Sequence, residues 1–160
     1  MAQGSYVVER STTIAADPQA VYEQVADFHH WIAWSPWEGL DPNITRTYSG
    51  PDSGVGAAYA WSGNRKAGRG RMQITDAEPA RVTVDLTFEK PFKSSSVTEF
   101  MITEQGPDAT AVTWSMTAPQ TVMVKIMGVF SSMDKLIGND FERGLARLKA
   151  LLETGSAPPG

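Results

Sequence analysis

The chain has no cysteine among its 160 residues. This absence excludes disulfides, thiol nucleophiles and thiolate metal ligands, and it suits a reducing compartment. The sequence has only two histidines, His29 and His30. Neighbouring residues on a helix point about 100° apart, so such a pair rarely shares a metal ion. No H-E-x-x-H motif or comparable spacing accompanies the pair, and we expect no metal site.

Strong charge and long apolar runs are also missing. The net charge of -4 gives no electrostatic reason to expect nucleic acid or an anionic membrane as a partner. No apolar stretch approaches the roughly 18 residues of a membrane-spanning helix, and no signal peptide is visible at the N-terminus. Neither G-x-S-x-G nor a phosphate-binding loop occurs, and we expect no cofactor. These features predict a soluble, cytoplasmic single domain over residues 1–153, with a disordered tail at 154–160.

Most of the chain has the pattern of strands. Val82, Val84, Leu86 and Phe88 alternate with polar residues, which is the period-2 pattern of a strand with one buried face. Breaks rich in glycine, proline and asparagine separate similar segments, and short links between strands favour an antiparallel meander. The predicted strands cover residues 6–14, 44–49, 55–62, 66–77, 81–89, 94–104 and 110–118.

Two short helices are predicted after the first strand. Asp17 is a suitable N-cap, and Pro18 suits the first helical position, where no amide hydrogen bond is lost. The second short helix is predicted over residues 28–34, and Ser35-Pro36 ends it because proline disfavours the α conformation just before it.

One long helix is predicted at the C-terminus. After Pro119, apolar residues recur at three- and four-residue steps from Met123 to Leu152. Ser131 and Gly138 are the positions where a break in this amphipathic helix is expected. The fold class is therefore α+β, with a seven-stranded antiparallel sheet curved around a long C-terminal helix.

Several motifs resemble one superfamily. They are W-S-P-W-E-G-L-D-P at 34–42, Y-S-G-P-D-S-G-V-G-A at 48–57, Y-A-W-S-G-N at 59–64, V-T-W-S-M at 112–116, M-G-V-F-S-S-M-D-K at 127–135 and G-N-D-F-E-R-G-L-A-R-L-K at 138–149. Together they are similar to the START-like, or Bet v 1-like, helix-grip superfamily (SRPBCC), and within it to the bacterial polyketide cyclase/dehydrase-type group. The resemblance covers roughly residues 6–152 and implies the helix-grip fold. It implies no single function, because one scaffold hosts many activities.

The first functional hypothesis is binding or carriage of a small hydrophobic ligand between the sheet and the C-terminal helix. Trp31 and Trp34 are three residues apart and share a helix face, which suits either a pocket wall or plain core packing. The methionines of the C-terminal helix likewise suit either an adaptable binding surface or ordinary core. The periodicity and the implied fold together give these pocket candidates: Trp31, Trp34, Trp37, Tyr59, Trp61, Phe88, Trp114, Met123, Met127 and Phe130.

Two alternatives remain open. A polyketide cyclase or dehydratase would need a buried titratable group, which His29, His30 or Glu99 would have to supply. The alternation around Glu99 leaves its face undecided, because apolar residues lie on both sides of that strand. A protein-interaction module would instead show no cavity and an exposed apolar patch.

One basic cluster is also present. Arg65, Lys66, Arg69 and Arg71 lie around a turn, where they suit either an anionic ligand group or a solvated strand face. The glycines among them, Gly68 and Gly70, are typical of a bulge or a close backbone contact.

Overall fold

The structure is a computed structural model that describes residues 5–36, 41–64, 68–90, 94–119 and 129–154. Side chains are described within these ranges except at residues 5, 6, 94, 118, 119, 129–134 and 136. In chain order the elements are β1 (Ser5–Ile14), α1 (Pro18–Val25), α2 (Phe28–Trp31), β2 (Thr45–Ser49), β3 (Ala58–Ser62), β4 (Arg69–Glu78), β5 (Arg81–Lys90), β6 (Ser94–Gly106), β7 (Ala109–Pro119) and α3 (Val129–Thr154).

The seven strands form one antiparallel sheet in the order β1-β7-β6-β5-β4-β3-β2. Strands β2 to β7 follow one another as a meander, because short links join antiparallel neighbours without a crossover. The first strand then pairs with the last strand of the meander. This curved sheet with its C-terminal helix and two short helices confirms the predicted α+β helix-grip fold.

The first short helix begins as its sequence predicts. The Asp17 carboxylate accepts a hydrogen bond from the backbone N–H of Ala20 at 2.8 Å, which satisfies one free donor of the first turn. Pro18 occupies the first helical position. The helix lies against β6 and β7.

The second short helix ends earlier than predicted. α2 stops at Trp31, and the three residues that follow form turns. The Trp34 N–H donates to the Trp31 carbonyl at 3.1 Å, and the Ser35 N–H donates to the same carbonyl at 2.7 Å. These bonds tighten the chain into a turn just before Pro36, and they still direct both tryptophans inward.

The C-terminal helix is continuous from Val129 to Thr154, so the expectation of a break near Ser131 or Gly138 was wrong. Gly138 serves another purpose, because a Cβ there would collide with the guanidinium of Arg10 on β1. The glycine leaves room for that guanidinium between α3 and β1. Residues 123–128 of the predicted helix lie outside the described residues.

The core lies on one face of the sheet, here called the inner face, which carries the helices. The inward side chains Val82 and Val84 are completely buried, whereas Asp85 points to the opposite, outer face. α3 packs over β1 and β7, at one side of the inner face. In the described part of the chain, no helix combines the length and apolar character needed to cross a membrane.

Candidate functional site

The strand register aligns two rows of side chains across the inner face, over β3, β4 and β5. Residues that are Cα partners on neighbouring antiparallel strands project to the same face, so each row forms a continuous surface. The first row holds Trp61, Gly70 and Phe88, and the second holds Tyr59, Met72 and Leu86.

Gly70 makes room for the ring of Trp61. A Cβ at this position would lie 2.8 Å from that ring and 2.6 Å from the carbonyl oxygen of Thr87. The strand register also shifts between Arg69 and Gly70. The sequence expectation of a bulge or a close backbone contact at this glycine is therefore confirmed, because the structure shows both.

Five aromatic residues close the inner face at the α2 end of the site. Trp114 stacks on Phe141 of α3 with ring centroids 4.1 Å apart, and on Phe100 at 4.9 Å. Trp34 meets Trp31 at 4.8 Å and Trp114 at 5.6 Å. Trp34 and Trp114 are both 0% exposed. These rings contact one another on several sides, which is the arrangement of a packed core.

Hydrogen bonds fix the two tryptophans of the α2 segment. The indole N–H of Trp31 donates to the carbonyl of Val25 at 3.0 Å, and that of Trp34 donates to the carbonyl of Gln24 at 3.4 Å. Both acceptors lie at the end of α1, so the bonds join the two short helices. A buried indole needs such a partner, and here it also sets the ring orientation.

A series of aromatic contacts connects this packed cluster to the first row. Phe28 meets Trp31 at 5.3 Å and Tyr59 at 6.0 Å. Tyr59 then stacks on Trp61 at 5.9 Å, and Trp61 meets Phe88 edge-on at 5.4 Å. Trp61 and Phe88 are only half-buried. This series of aromatic side chains therefore extends from the buried core to an apolar surface that solvent still reaches.

Burial falls steadily along the inward side chains of β5. Val84 is 0% exposed and Leu86 is 5% exposed, and Phe88 at the end of the strand is half-buried. The open part of the inner face is thus the Trp61–Phe88 end, away from the packed cluster. Here we call the surface of the two rows the aromatic platform.

Six of the ten predicted pocket residues have described side chains. Trp31, Trp34 and Trp114 lie in the packed cluster, and Tyr59, Trp61 and Phe88 lie on the aromatic platform. Trp37, Met123 and Met127 lie outside the described residues, as does the side chain of Phe130.

The prediction missed five side chains that belong with these two groups, including Phe100 and Phe141 of the packed cluster. Met72 and Leu86 complete the second row, and Phe28 joins the packed cluster to Tyr59. Inward alternation on β4 and β5 was a usable signal for Met72 and Leu86. Phe28 had no comparable signal, because its contact with Tyr59 depends on how the short helix docks.

Two of the three titratable candidates, Glu99 and His30, lie away from the aromatic platform. Glu99 is on the outer face, where it accepts a hydrogen bond from the Thr83 hydroxyl at 3.3 Å. The ring of exposed His30 has its Nδ1 2.9 Å from the carbonyl oxygen of Glu23. Neither group faces the aromatic platform.

His29 forms a small polar site of its own. Its ring Nδ1 lies 2.7 Å from the carboxylate of Asp27, the N-cap of α2, and its ring stacks on Tyr48 at 4.1 Å. A depression of about 180 Å³ adjoins it, bordered by Gly50 and Asp52. The Asp27 pairing orients the ring, and the imidazole remains about half exposed.

The two described members of the basic cluster, Arg69 and Arg71, both lie on the outer face of β4. Arg69 pairs with Glu89 at 3.1 Å, and Arg71 points to the outer face of β4. Arg65 and Lys66 lie outside the described residues. The described members of the cluster thus lie on the surface away from the aromatic platform.

Solved structures of other proteins share this fold. Norcoclaurine synthase from Thalictrum flavum, in complex with dopamine and hydroxybenzaldehyde, is 12% identical with a TM-score of 0.67, over 95% of this chain and 89% of that chain. The Aha1 dimer from Colwellia psychrerythraea is 17% identical with a TM-score of 0.63, over 94% and 98%. A protein of Chromobacterium violaceum is 14% identical with a TM-score of 0.62, over 92% and 97%. At these identities the likeness shows the fold alone.

Sequence comparison identifies the family. No curated protein matches the chain significantly. The family described as polyketide cyclase / dehydrase and lipid transport matches residues 6–153. The match spans nearly the whole chain and confirms the resemblance seen in its motifs. The protein therefore belongs to the polyketide cyclase / dehydrase and lipid transport family, of the SRPBCC type.

Proposed function

We propose that the protein binds or carries a small hydrophobic molecule on the aromatic platform. The observation that carries this proposal is the loss of burial along the inner face from the packed cluster toward Trp61 and Phe88. Partly exposed aromatic side chains at the end of a core suit a ligand site, because pockets for small molecules are lined mainly by hydrophobic and aromatic residues. The lipid transport named in the family description agrees with a ligand of this type.

The packed cluster limits how far a ligand enters. Trp34, Trp114 and Phe141 already fill the space beside α3 through ring contacts of 4.1–5.6 Å. A ligand that displaced them would first have to break those contacts. The ligand therefore lies over Tyr59, Trp61 and Phe88, with the packed cluster as the inner wall of its site.

Affinity comes mainly from apolar burial. Covering the exposed parts of Trp61 and Phe88 contributes about 25 cal/mol per Å², before the costs of association are subtracted. A flat aromatic or fused-ring ligand gains further from the rings, because Trp61 and Phe88 meet edge-on and present a face and an edge together. Norcoclaurine synthase, which shares the fold, was solved with the small aromatic molecules dopamine and hydroxybenzaldehyde.

A binding role is favoured over a cyclase or dehydratase role by the positions of two titratable candidates, Glu99 and His30; the third, His29, stacks on Tyr48, whose ring lies 5.2 Å from that of Tyr59 on the platform. An enzyme of that kind needs an acid or base within hydrogen-bond reach of its substrate. Glu99 lies on the outer face, and His30 lies at the surface of α2. A molecule on the aromatic platform contacts neither. Location in the cytoplasm stays a prediction from the sequence.

The test is a binding titration with fatty acids, sterols and flavonoids, preceded by native mass spectrometry of the purified protein. Intrinsic fluorescence should change saturably, because Trp61 would lose solvent on binding. Phe88→Ala should weaken binding about tenfold or more, since it removes one of the two half-exposed rings. Trp61→Ala should do the same when binding is followed by calorimetry, which does not depend on the removed fluorophore.

The matched control is Met101→Ala on the outer face, which removes an exposed apolar side chain from the same sheet. This variant should bind as the wild type does. Equal affinities for wild type, Trp61→Ala and Phe88→Ala would show that the ligand lies elsewhere. No bound ligand and no saturable response to any of the three ligand classes would contradict the proposal.

A further inference from the structure

The outer face of the sheet has a depression over β2 to β5. The side chains of Ala58 and Ala60 on β3 form its floor, and Thr47 and Ser49 of β2 stand at one side. Its volume is about 320 Å³. Ala58 and Ala60 face this depression because they alternate along β3 with the inward side chains of Tyr59 and Trp61.

Two charged side chains beside the depression are unpaired among the described residues. Arg71 on β4 and Asp85 on β5 both line it and are exposed. In the part of the chain that the structure describes, no hydrogen bond or ion pair engages either side chain. The other outer-face arginines differ, because Arg69 pairs with Glu89 at 3.1 Å and Arg81 with Asp76 at 2.8 Å. The fold thus holds one cation and one anion side by side without joining them.

The same face carries most of the exposed apolar bulk. Of the five large hydrophobic residues that are exposed in the described ranges, Val7, Val97 and Met101 lie on the outer face. Val97 is 44% exposed. The register puts Val97 in one row with Asp85, since the two are Cα partners on β6 and β5.

We propose that the outer face binds a second copy of this chain in a symmetric dimer. A twofold interface brings the same surface together from both copies, so it must be complementary to itself. Here a cation and an anion stand beside each other, and the exposed side chain of Val97 lies in the same row as Ala58 in the floor of the depression. An identical face therefore supplies the complement of each feature. A partner of another kind would need its own charges and its own apolar side chain at matching positions.

The register indicates where the twofold axis runs. Val97, Asp85, Gln73 and Ala58 form one row across β6, β5, β4 and β3. An axis along the strands, midway between β5 and β4, brings β6 of one copy over β3 of the other. Val97 then lies over Ala58 of the second copy, and the exposed valine occupies the depression.

The same axis joins the unpaired charges. Arg71 and Thr87 are Cα partners, so Arg71 lies over Thr87 of the second copy. Asp85 is two residues from Thr87 on the same face of β5, about 7 Å along the strand. The length of an arginine side chain spans that offset. Two reciprocal Arg71–Asp85 pairs result, one on each side of the axis.

Sedimentation velocity of the full chain, from micromolar to near-millimolar concentration, tests the dimer. The wild type should sediment as a monomer at low concentration and as a dimer at high concentration, and added salt should weaken the dimer by screening. Arg71→Asp and Asp85→Arg should each raise the dimer dissociation constant by on the order of 100-fold, because each places like charges together at two points.

A charge-reversal experiment distinguishes direct contact between the two copies from damage to the fold. An equimolar mixture of Arg71→Asp and Asp85→Arg should form a heterodimer, since all contacts in that pair are again opposite in sign. The double variant Arg71→Asp/Asp85→Arg should recover its homodimer. These outcomes require direct reciprocal contact and do not follow from damage to the fold.

Val55→Ser is the matched control. Val55 is exposed like Val97 but lies in the connection between β2 and β3, so its substitution should leave the dimer unchanged. Val97→Ser should weaken the dimer without changing ligand binding on the inner face. A wild type that stays monomeric throughout would overturn the proposal, and so would a dimer that Asp85→Arg leaves intact.

Discussion

Two glycines of α3 are expected to respond in opposite ways to the same substitution. Replacing glycine by alanine inside a helix stabilises it by about 0.8–1.0 kcal/mol when nothing else changes. At Gly144 the added Cβ would lie 2.8 Å from Pro36 and 2.8 Å from the ring of Trp114. Both neighbours are buried, so overpacking costs about 1–3 kcal/mol. Gly144→Ala should therefore be destabilising, by about 1 kcal/mol.

Gly138→Ala meets a different neighbour. Its Cβ would collide only with the guanidinium of Arg10, the far end of a flexible side chain. Moving that group sacrifices its ion pair with Glu142, which spans 2.8 Å and is partly solvent-exposed. Such a pair contributes about 0.2–1 kcal/mol, so the gain in helix propensity roughly offsets or exceeds the loss. Gly138→Ala should be neutral or slightly stabilising.

Urea denaturation of the wild type and both variants measures the difference through the free energy of unfolding. The two substitutions are chemically identical and lie on one helix, so each controls for the other. A Gly144→Ala variant as stable as Gly138→Ala would refute the claim that rigid contacts at Pro36 and Trp114 fix how closely α3 approaches the sheet.

Three further substitutions test single contacts. The Lys149 ammonium donates a hydrogen bond that lowers the pKa of the Glu153 carboxyl, so the stabilisation is present above the ordinary pKa of 4.5 and is lost as the pH falls through the lower folded value. Glu153→Gln should therefore be less stable than wild type at pH 7 and equal to it in strong acid, as thermal melts across pH would show. Thr110→Val removes a buried hydroxyl that donates to the Ala16 carbonyl at 2.7 Å, and urea denaturation should show a loss of about 1–3 kcal/mol. Asp17→Ala removes the N-cap of α1 and should cost about 1 kcal/mol in the same measurement, whereas Asp17→Asn should be nearly neutral.

The sequence was sufficient for the elements because their signals are local. Alternation placed β5 within one residue of its observed ends, and Asp17-Pro18 marked the start of α1. The strand predicted over residues 55–62 begins later, at Ala58, because Gly54 and Gly56 adopt positive φ and keep the chain in a turn. In a sequence, a glycine is compatible with either a strand or a turn. The packing around it determines whether the strand includes it.

The candidate site was less predictable because it depends on register. The sequence places Trp61, Gly70 and Phe88 on three separate strands but does not align them. Pairing across strands is set by long-range contacts, and a slip of one residue would move each side chain to the other face. This is why Trp61 was identified as a candidate while its dependence on Gly70 was not.

The ambiguity at β6 has a physical cause. Val97 and Met101 alternate with Thr98, Phe100 and Ile102, so both faces of the strand are apolar in sequence. Burial resolves it, because Phe100 is buried inside and Val97 is exposed outside. Because the outer face is apolar as well, the alternation pattern alone does not show which face of β6 is buried. If that outer face is a contact surface, as the charge-reversal experiment tests, the misleading signal is itself functional.

The aromatic residues divide into buried and partly exposed ones, and this difference determines which substitutions can test binding. Trp34 is fully buried, and truncating such a residue costs about 3–5 kcal/mol, so a loss of binding in Trp34→Ala would reflect damage to the core. Trp61 is half-buried and rests on Gly70, so its removal leaves that core in place. Tyr59 stands between them, 9% exposed and in contact with both Phe28 and Trp61. Substitutions on the Trp34 side of Tyr59 therefore test stability, and substitutions on the Trp61 side test binding. A ligand that stabilises the protein should do so by covering the Trp61 side.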